Sequence, residues 1–390
     1  MKRCKGLLCK FLSQPKVRRV NAELSKETVG LTYLGRTLQW YDRAVSLRIG
    51  LAAPVVLAVA TLAAAGASPL PVSADRIWYS PGPGTLDYLR LFERPEEWTR
   101  ARGVVTVFKF YAQHTQTPAS SIVGPNTYDA LVRAGAFRKL TAWRIKTALE
   151  AGSVKEFWCT PDASGMEASV RSTLDAVKAI EDAGGRLAYL AMDEPWVAGR
   201  SKVCGGPALE PTADRVAIYM SAVSRAYPAL RIGLIEAYPF SSAQSIESMV
   251  QLLRARGVAP AFLHMDVDWH ALAAGDFARD MKRLQAFAAA QNIPFGIIIV
   301  GYDGNADALY AIDTAGITNL IADAFQTWDG MPQHLVFQSW VESSTGAFIT
   351  PSNLPEDRAY THTNLLWELF RRLRGGTGGS TGVAVPRTSV

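Results

Sequence analysis

The stretch "YLAMDEPW", residues 189–196, carries an apolar run into two adjacent acids, a proline and a tryptophan. Upstream lies "MEASVRSTLDAVKAIEDAGG", residues 166–185, where Val170, Leu174, Val177 and Ile180 recur at three- and four-residue intervals before Gly184 and Gly185. That spacing is the period of an amphipathic helix, and the paired glycines mark its end. The strand extends back through "LAYLAM", residues 187–192, so the segment reads as helix, turn, strand and then a pair of carboxylates.

The same rhythm repeats along the chain. Strands are expected at 76–80, 104–111, 155–159, 187–192, 231–238, 261–269, 295–302 and 334–340, the third of them being "KEFWC". Helical patterns are expected over roughly 126–151, 212–227, 241–256, 276–291, 306–325 and 358–374. Eight strands alternating with helices over about 300 residues have the size and order of a (β/α)8 barrel. A doubly wound open sheet is the competing architecture, but no G-x-G-x-x-G follows the first strand. The barrel is expected over residues 75–374, with a Gly-, Thr- and Ser-rich tail at 375–390 whose composition predicts disorder.

The chain has 390 residues, of which 48% are hydrophobic and 19% charged, enough to bury a large core. Its formal charge of +6 is unevenly spread. Residues 1–74 hold 11 Lys and Arg against 3 Asp and Glu, which leaves 30 against 32 for residues 75–390. The body is therefore near-neutral and carries no basic stripe of the kind nucleic acids require, so no nucleic-acid partner is expected. Residues 1–48 form a basic extension, and the uncharged run "IGLAAPVVLAVATLAAAGASPLPVSA", residues 49–74, follows Arg43 and Arg48. A basic flank, an apolar run and "VSA" before Asp75 make an export signal with a small-residue cleavage site. The competing reading is a retained membrane anchor, for which Pro54, Pro69 and Pro71 are poorly suited. The expected location is secreted or periplasmic, with membrane attachment only through this segment if it is kept, and a monomer is expected. Cys159 and Cys204 then lie in a compartment that permits a disulfide at the barrel mouth; two buried thiols are the alternative.

Catalytic groups of such barrels stand at the C-terminal ends of the strands. The aromatics there are Trp78 or Tyr79, Tyr111, Trp158, Trp196, Tyr238, Trp269, Tyr302 and Trp340. A cleft lined with rings suits sugars, whose C–H faces pack on aromatics while hydroxyls bond the rim; the alternative is that the rings cap the core. Carboxylates collect at the same ends: Asp193 and Glu194 after the fourth strand, Glu236 on the fifth, Asp266 and Asp268 on the sixth, and Asp303 after the seventh. Glycoside hydrolysis uses two such groups, one to protonate the leaving oxygen and one to attack or to activate water. Glu194 suits the acid, because Pro195 and Trp196 crowd it with apolar surface and Asp193 adds a like charge, and both effects raise a pKa. A helix cap at Asp193 and a structural ion pair at Glu194 form the alternative.

On these residues the chain resembles the retaining glycoside hydrolases of clan A, (β/α)8 enzymes with a Glu acid/base at the end of strand four, often as Asn-Glu-Pro, and a Trp at the end of strand eight. The resemblance implies that Glu194 in "DEP" is the acid/base and that Trp340 in "QSWVE" lines the sugar site. Two departures stand out: Asp193 replaces the usual Asn, and "GYDG" puts Asp303 where the family carries its nucleophilic Glu. Glu236 is the leading second carboxylate, since neighbouring strands lie about 4.8 Å apart, with Asp303 and Asp268 behind it. No cofactor is expected. In "HMDVDWH", His264, Asp266, Asp268 and His270 alternate like metal ligands, but same-face residues on a strand lie about 6.6 Å apart and cannot all reach one ion. The expectation is an exported glycoside hydrolase acting on a carbohydrate substrate, a poly- or oligosaccharide. A carbohydrate-binding barrel without turnover and a metal-dependent hydrolase or deacetylase are the alternatives.

Overall fold

The computed structural model describes residues 70–153, 163–199, 209–268, 271–272, 276–301, 307–340 and 351–375. Eight parallel strands close into a barrel in chain order. They are β1 (Ile77–Ser80), β2 (Val107–Tyr111), β3 (Lys146–Ala151), β4 (Leu187–Asp193), β5 (Arg231–Tyr238), β6 (Leu263–Val267), β7 (Phe295–Ile299) and β8 (His334–Gln338). Short helices α1 (Arg90–Glu93), α2 (Thr99–Val104), α3 (Tyr128–Arg133) and α4 (Ala136–Ala142) fill the first two crossovers. Longer ones follow: α5 (Ala163–Asp182), α7 (Leu209–Ala226), α8 (Ala243–Ala255), α9 (Phe277–Ala290), α10 (Asp307–Phe325) and α11 (His362–Gly375), with the single turn α6 (Pro195–Gly199) after β4. The (β/α)8 architecture expected from the helix-strand rhythm is the one observed, and Arg231–Tyr238 coincides with the expected fifth strand. No helix among the described residues is long and apolar enough to cross a membrane.

One strand differs from expectation. The third is Lys146–Ala151, "KTALEA", and not "KEFWC", whose residues lie outside the described ones. Ala, Leu, Glu and Lys are strong helix formers, so the segment reads locally as the end of a helical stretch. Its place between β2 and β4 overrides that preference, because five residue pairs with β2 satisfy its backbone there.

Strand residues alternate between the lumen and the helix layer, and residues paired across parallel strands face the same way. Trp78 pairs with Val107 and Val336, Tyr111 with Glu150, Asp193 with Ile235, and Ala237 with Asp266. Carried round the barrel, this places Trp78, Tyr189, Phe262, His264 and His334 together at the floor, the N-terminal end of the strands. The Trp78 ring lies 4.8 Å from Tyr189, 5.3 Å from Phe262, 4.8 Å from His264 and 5.2 Å from His334. His264 Nε2 and His334 Nδ1 meet at 2.9 Å. Burial above all holds both imidazoles below the ordinary histidine range, His334 at about 3, so the pair is neutral, one ring donating and the other accepting.

So many rings fit only because their neighbours are small. Ala148, Ala191 and Gly233 face the lumen, and a Cβ on Gly233 would stand 2.5 Å from three carbons of the Phe262 ring. Gly233→Ala is expected to destabilise the fold by about 1–3 kcal/mol through overpacking. Denaturant unfolding of both proteins measures it; an unchanged midpoint would show that the floor has room.

Candidate active site

The opposite end of the lumen is polar. Lys109 on β2, Glu150 on β3, Asp193 on β4, Asp266 on β6 and Gln338 on β8 share the inward alternation with Ser80 and Tyr111. Lys109 is fully buried; its Nζ forms a very short contact with a Glu150 carboxylate oxygen and donates to Gln338 Oε1 at 2.5 Å. Such a pair survives burial only with its hydrogen bonds satisfied, and Gln338 supplies the second acceptor. Neither Lys109, Glu150 nor Gln338 was anticipated as a site residue. The signal in the sequence was the lysine inside the otherwise apolar "VVTVFKFY".

Asp266 is a strongly perturbed carboxyl. Its Oδ1 is shut from solvent and has no hydrogen-bond partner among the described residues, while the rest of the side chain is half-buried. Burial first, and then the charges of Glu194 and Glu150, push its pKa up to about 8 against the opposing pull of Lys109. The group is therefore protonated at neutral pH, as a carboxylic acid must be to donate a proton.

Glu194 follows the last residue of β4 and has φ +48°, a left-handed backbone that non-glycine residues adopt at a cost of about 1–3 kcal/mol. Its N–H donates to Ile235 O at 3.0 Å and its carbonyl accepts from Ala198 N, so the residue ends the strand and opens α6 in a single step. This kink interrupts the strand alternation, and the Glu194 charge acts on Asp266 in the lumen and also on Glu236 outside it. Asp193, on the lumen side, adds to both.

Several expected residues sit elsewhere. Glu236 pairs in register with Met265 and so faces the helix layer, not the lumen. It is fully buried, and its Oε1 accepts from Trp196 N at 2.9 Å, which caps the exposed amides of α6. Burial, with Glu194 and Asp193 adding, pushes its carboxyl well above the ordinary range despite the amide donors. Glu236 thus braces the Asp193–Trp196 turn from behind. Tyr238, two residues on, also faces outward and donates its hydroxyl to Asp280 Oδ2 at 2.8 Å on α9. Tyr79 packs in the helix layer against Trp98 and His362 and donates to Asn353 Oδ1 at 3.1 Å. Trp196 is 4% exposed, too buried to offer a ring face.

Of the remaining rings, Tyr111 and Trp340 lie at the mouth, their centroids 4.8 Å apart, with Trp340 partly exposed. Tyr111 donates its hydroxyl to Ser339 O at 3.2 Å. Asp268 accepts from Ala271 N at 3.1 Å and so shapes the turn after β6. Of the alternating "HMDVDWH" residues, His264 belongs to the floor cluster and Asp266 to the mouth. Trp158, Trp269, His270, Tyr302, Asp303, Cys159 and Cys204 lie outside the described residues.

No protein-family model matches the chain, and no curated protein sequence does. Solved structures do. An endo-β-1,6-glucanase aligns with TM-score 0.50 at 9% identity, over 78% of this chain and 76% of its own. A glucosidase from Croceicoccus marinus aligns with TM-score 0.46 at 12% identity, over 79% of this chain and 69% of its own. An L-ribulose 3-epimerase gives TM-score 0.41 at 16% identity, over 70% and 82%. At these identities the likeness is one of fold, and the fold is the (β/α)8 barrel.

Proposed function

We propose that the protein is a glycoside hydrolase in which Asp266 and Glu194 form the catalytic carboxyl pair. The observation that carries this is the Asp266 carboxyl, raised to about 8 in a lumen-facing position beside the charge of Glu194. Glycosidic cleavage needs one carboxyl that holds its proton at working pH and one that does not, and mutual repulsion in a buried site produces that division. The assignment reverses the role expected for Glu194: Asp266 protonates the leaving oxygen, and Glu194 attacks the anomeric carbon or activates water. The Lys109–Glu150 ion pair lies at the base of the site, where the Glu150 charge raises the Asp266 pKa and that of Lys109 opposes it. The partly exposed Trp340, backed by Tyr111, gives a ring face for one sugar of a poly- or oligosaccharide. Export through the residue 49–74 segment belongs to the same proposal, since polymeric carbohydrate is met outside the cell.

Two variants and two substrate types test the roles. Asp266→Asn is expected to slow substrates with poor leaving groups by about 10²- to 10⁴-fold and to spare aryl glycosides whose leaving group needs no proton. Glu194→Gln is expected to slow both. The opposite pattern exchanges the two roles, and wild-type rates in both variants would remove the pair from the mechanism.

The raised Asp266 pKa gives two pH dependences. Activity on the poor leaving group is expected to fall as pH rises through about 8, where Asp266 loses its proton. Folding stability is linked with the same sign. Between the unfolded carboxyl's pKa of about 4 and the folded value the native state holds a proton that the unfolded chain has released, so stability declines as pH rises across that window. Unfolding midpoints of wild type and Asp266→Asn measured over this range should show the decline flattened in the variant; parallel curves would mean that Asp266 titrates normally.

A further inference from the structure

At the floor a groove of about 340 Å³ opens between the starts of β3, β4 and β5. Its rim carries Arg144 before β3, Lys146 at the start of β3, Arg186 before β4 and Arg231 at the start of β5, with Thr141 and Thr147 between them. All four cations are exposed. Asp75 is the carboxylate that reaches the rim, accepting from Lys146 at 2.6 Å and Arg231 at 3.5 Å. Burial alone would raise its pKa, but the hydrogen bonds from Lys146 and Tyr189 and the charges of Lys146 and Arg231 hold it below the usual range. At the same end Glu181 and Asp182 close α5, and Asp182 is taken by Lys178 at 2.7 Å. Arg144 and Arg186 have no carboxylate partner among the described residues. A body with 30 basic and 32 acidic side chains has therefore gathered unpaired guanidinium groups around one concavity.

The chain also arrives at this end. Pro71, Val72 and Ala74 are exposed, Val72 by 53%. Ser73 Oγ lies 3.4 Å from His334 Nε2, and the Asp75 contacts with Lys146 and Arg231 tie the incoming segment to the floor. Directly before it the sequence runs uncharged from Ile49 to Ala74, behind the basic residues Arg43 and Arg48. We propose that the barrel floor docks on an anionic lipid bilayer, with Arg144, Lys146, Arg186 and Arg231 receiving lipid phosphates. A groove of arginines suits phosphoryl oxygens, which accept the forked guanidinium donors in pairs. Docked in this way, the protein turns the mouth with Asp266 and Glu194 away from the membrane, toward polymer in solution. The inference is independent of the proposed hydrolase activity.

The test is flotation of the full-length chain with phosphatidylcholine vesicles and with vesicles containing phosphatidylglycerol, for wild type and the Arg144→Glu, Arg186→Glu double variant. Both positions are exposed and without a carboxylate partner among the described residues, so the variant is expected to fold, melting only slightly lower because the new acids stand at helix C-terminal poles. Wild type should favour the anionic vesicles, and the preference should disappear in salt concentrated enough to shorten screening to about 3 Å. Each cation near an anionic surface contributes about fivefold in partition, so the double variant should lose at least about 25-fold on anionic vesicles and nothing on neutral ones. Equal partition of the two proteins, or no preference for anionic lipid, overturns the proposal and leaves any binding to the apolar segment. Release of wild type from vesicles by inorganic phosphate at constant ionic strength also overturns it, because the groove would then be a site for a small soluble anion.

Discussion

Every second residue of a barrel strand must face the lumen, and closure with eight strands forces the alternation to agree around the whole circuit. Here it does: Trp78 meets Val107 on one side and Val336 on the other, and the parity returns intact to β1. That constraint divides neighbouring residues between different roles. Asp266 and Met265, Glu236 and Ala237, Tyr111 and Phe110 are adjacent in sequence, yet Asp266, Ala237 and Tyr111 face the lumen and their neighbours face the helix layer. The exception is Glu194, where the left-handed backbone ends the alternation and whose charge acts on both Asp266 and Glu236. Glu236 caps the same turn from the outside.

Inside the mouth the balance of charge explains the chemistry. Lys109 shares the lumen with Glu150, Asp193 and Asp266, and its direct ion pair is with Glu150. Acids that share a low-dielectric space with too few cations cannot all ionise, because each added charge costs more than one proton held back. Asp266 is the group that keeps its proton: it has a buried oxygen without a donor among the described residues, and acidic neighbours on two strands. A residue that is an awkward tenant of a core becomes, for the same reason, an acid at neutral pH.

The fold was legible because helix and strand periods alternate so regularly. The exception was β3, a strand of helix-forming residues that only its neighbours hold extended. The site was legible as a place, the carboxylates after strands four and six, and less so as a set of residues. Glu236, Tyr79 and Tyr238 were singled out by position along the chain, whereas register decides which way a side chain faces, and a strand's register follows from partners far away in sequence. Asp266 was noted among the carboxylates at the strand ends and in a metal-like alternation, but not as a catalytic candidate. Glu150 was hidden by the misplaced strand. Lys109 was the most readable of the omissions, since a lysine flanked by phenylalanines in a strand destined for the core requires a buried partner.

The two ends of the barrel differ in charge, and the helices favour that difference. In a (β/α)8 fold each helix begins at the mouth and ends at the floor, so its positive N-terminal pole lies beside the carboxylates and its negative C-terminal pole beside the basic rim. Arg144 stands just past α4 and Arg186 just past α5, beside the negative helix poles. Asp193 and Glu194 stand just before α6, and Glu236 accepts from an amide of that turn. Acids that are hard to bury are thereby placed where a backbone donor is available, and guanidinium groups are placed beside negative helix poles. The polarity of the strand-helix repeat thus separates an acidic, solvent-facing mouth from a basic floor within one nearly neutral body, and each end becomes available for a different partner.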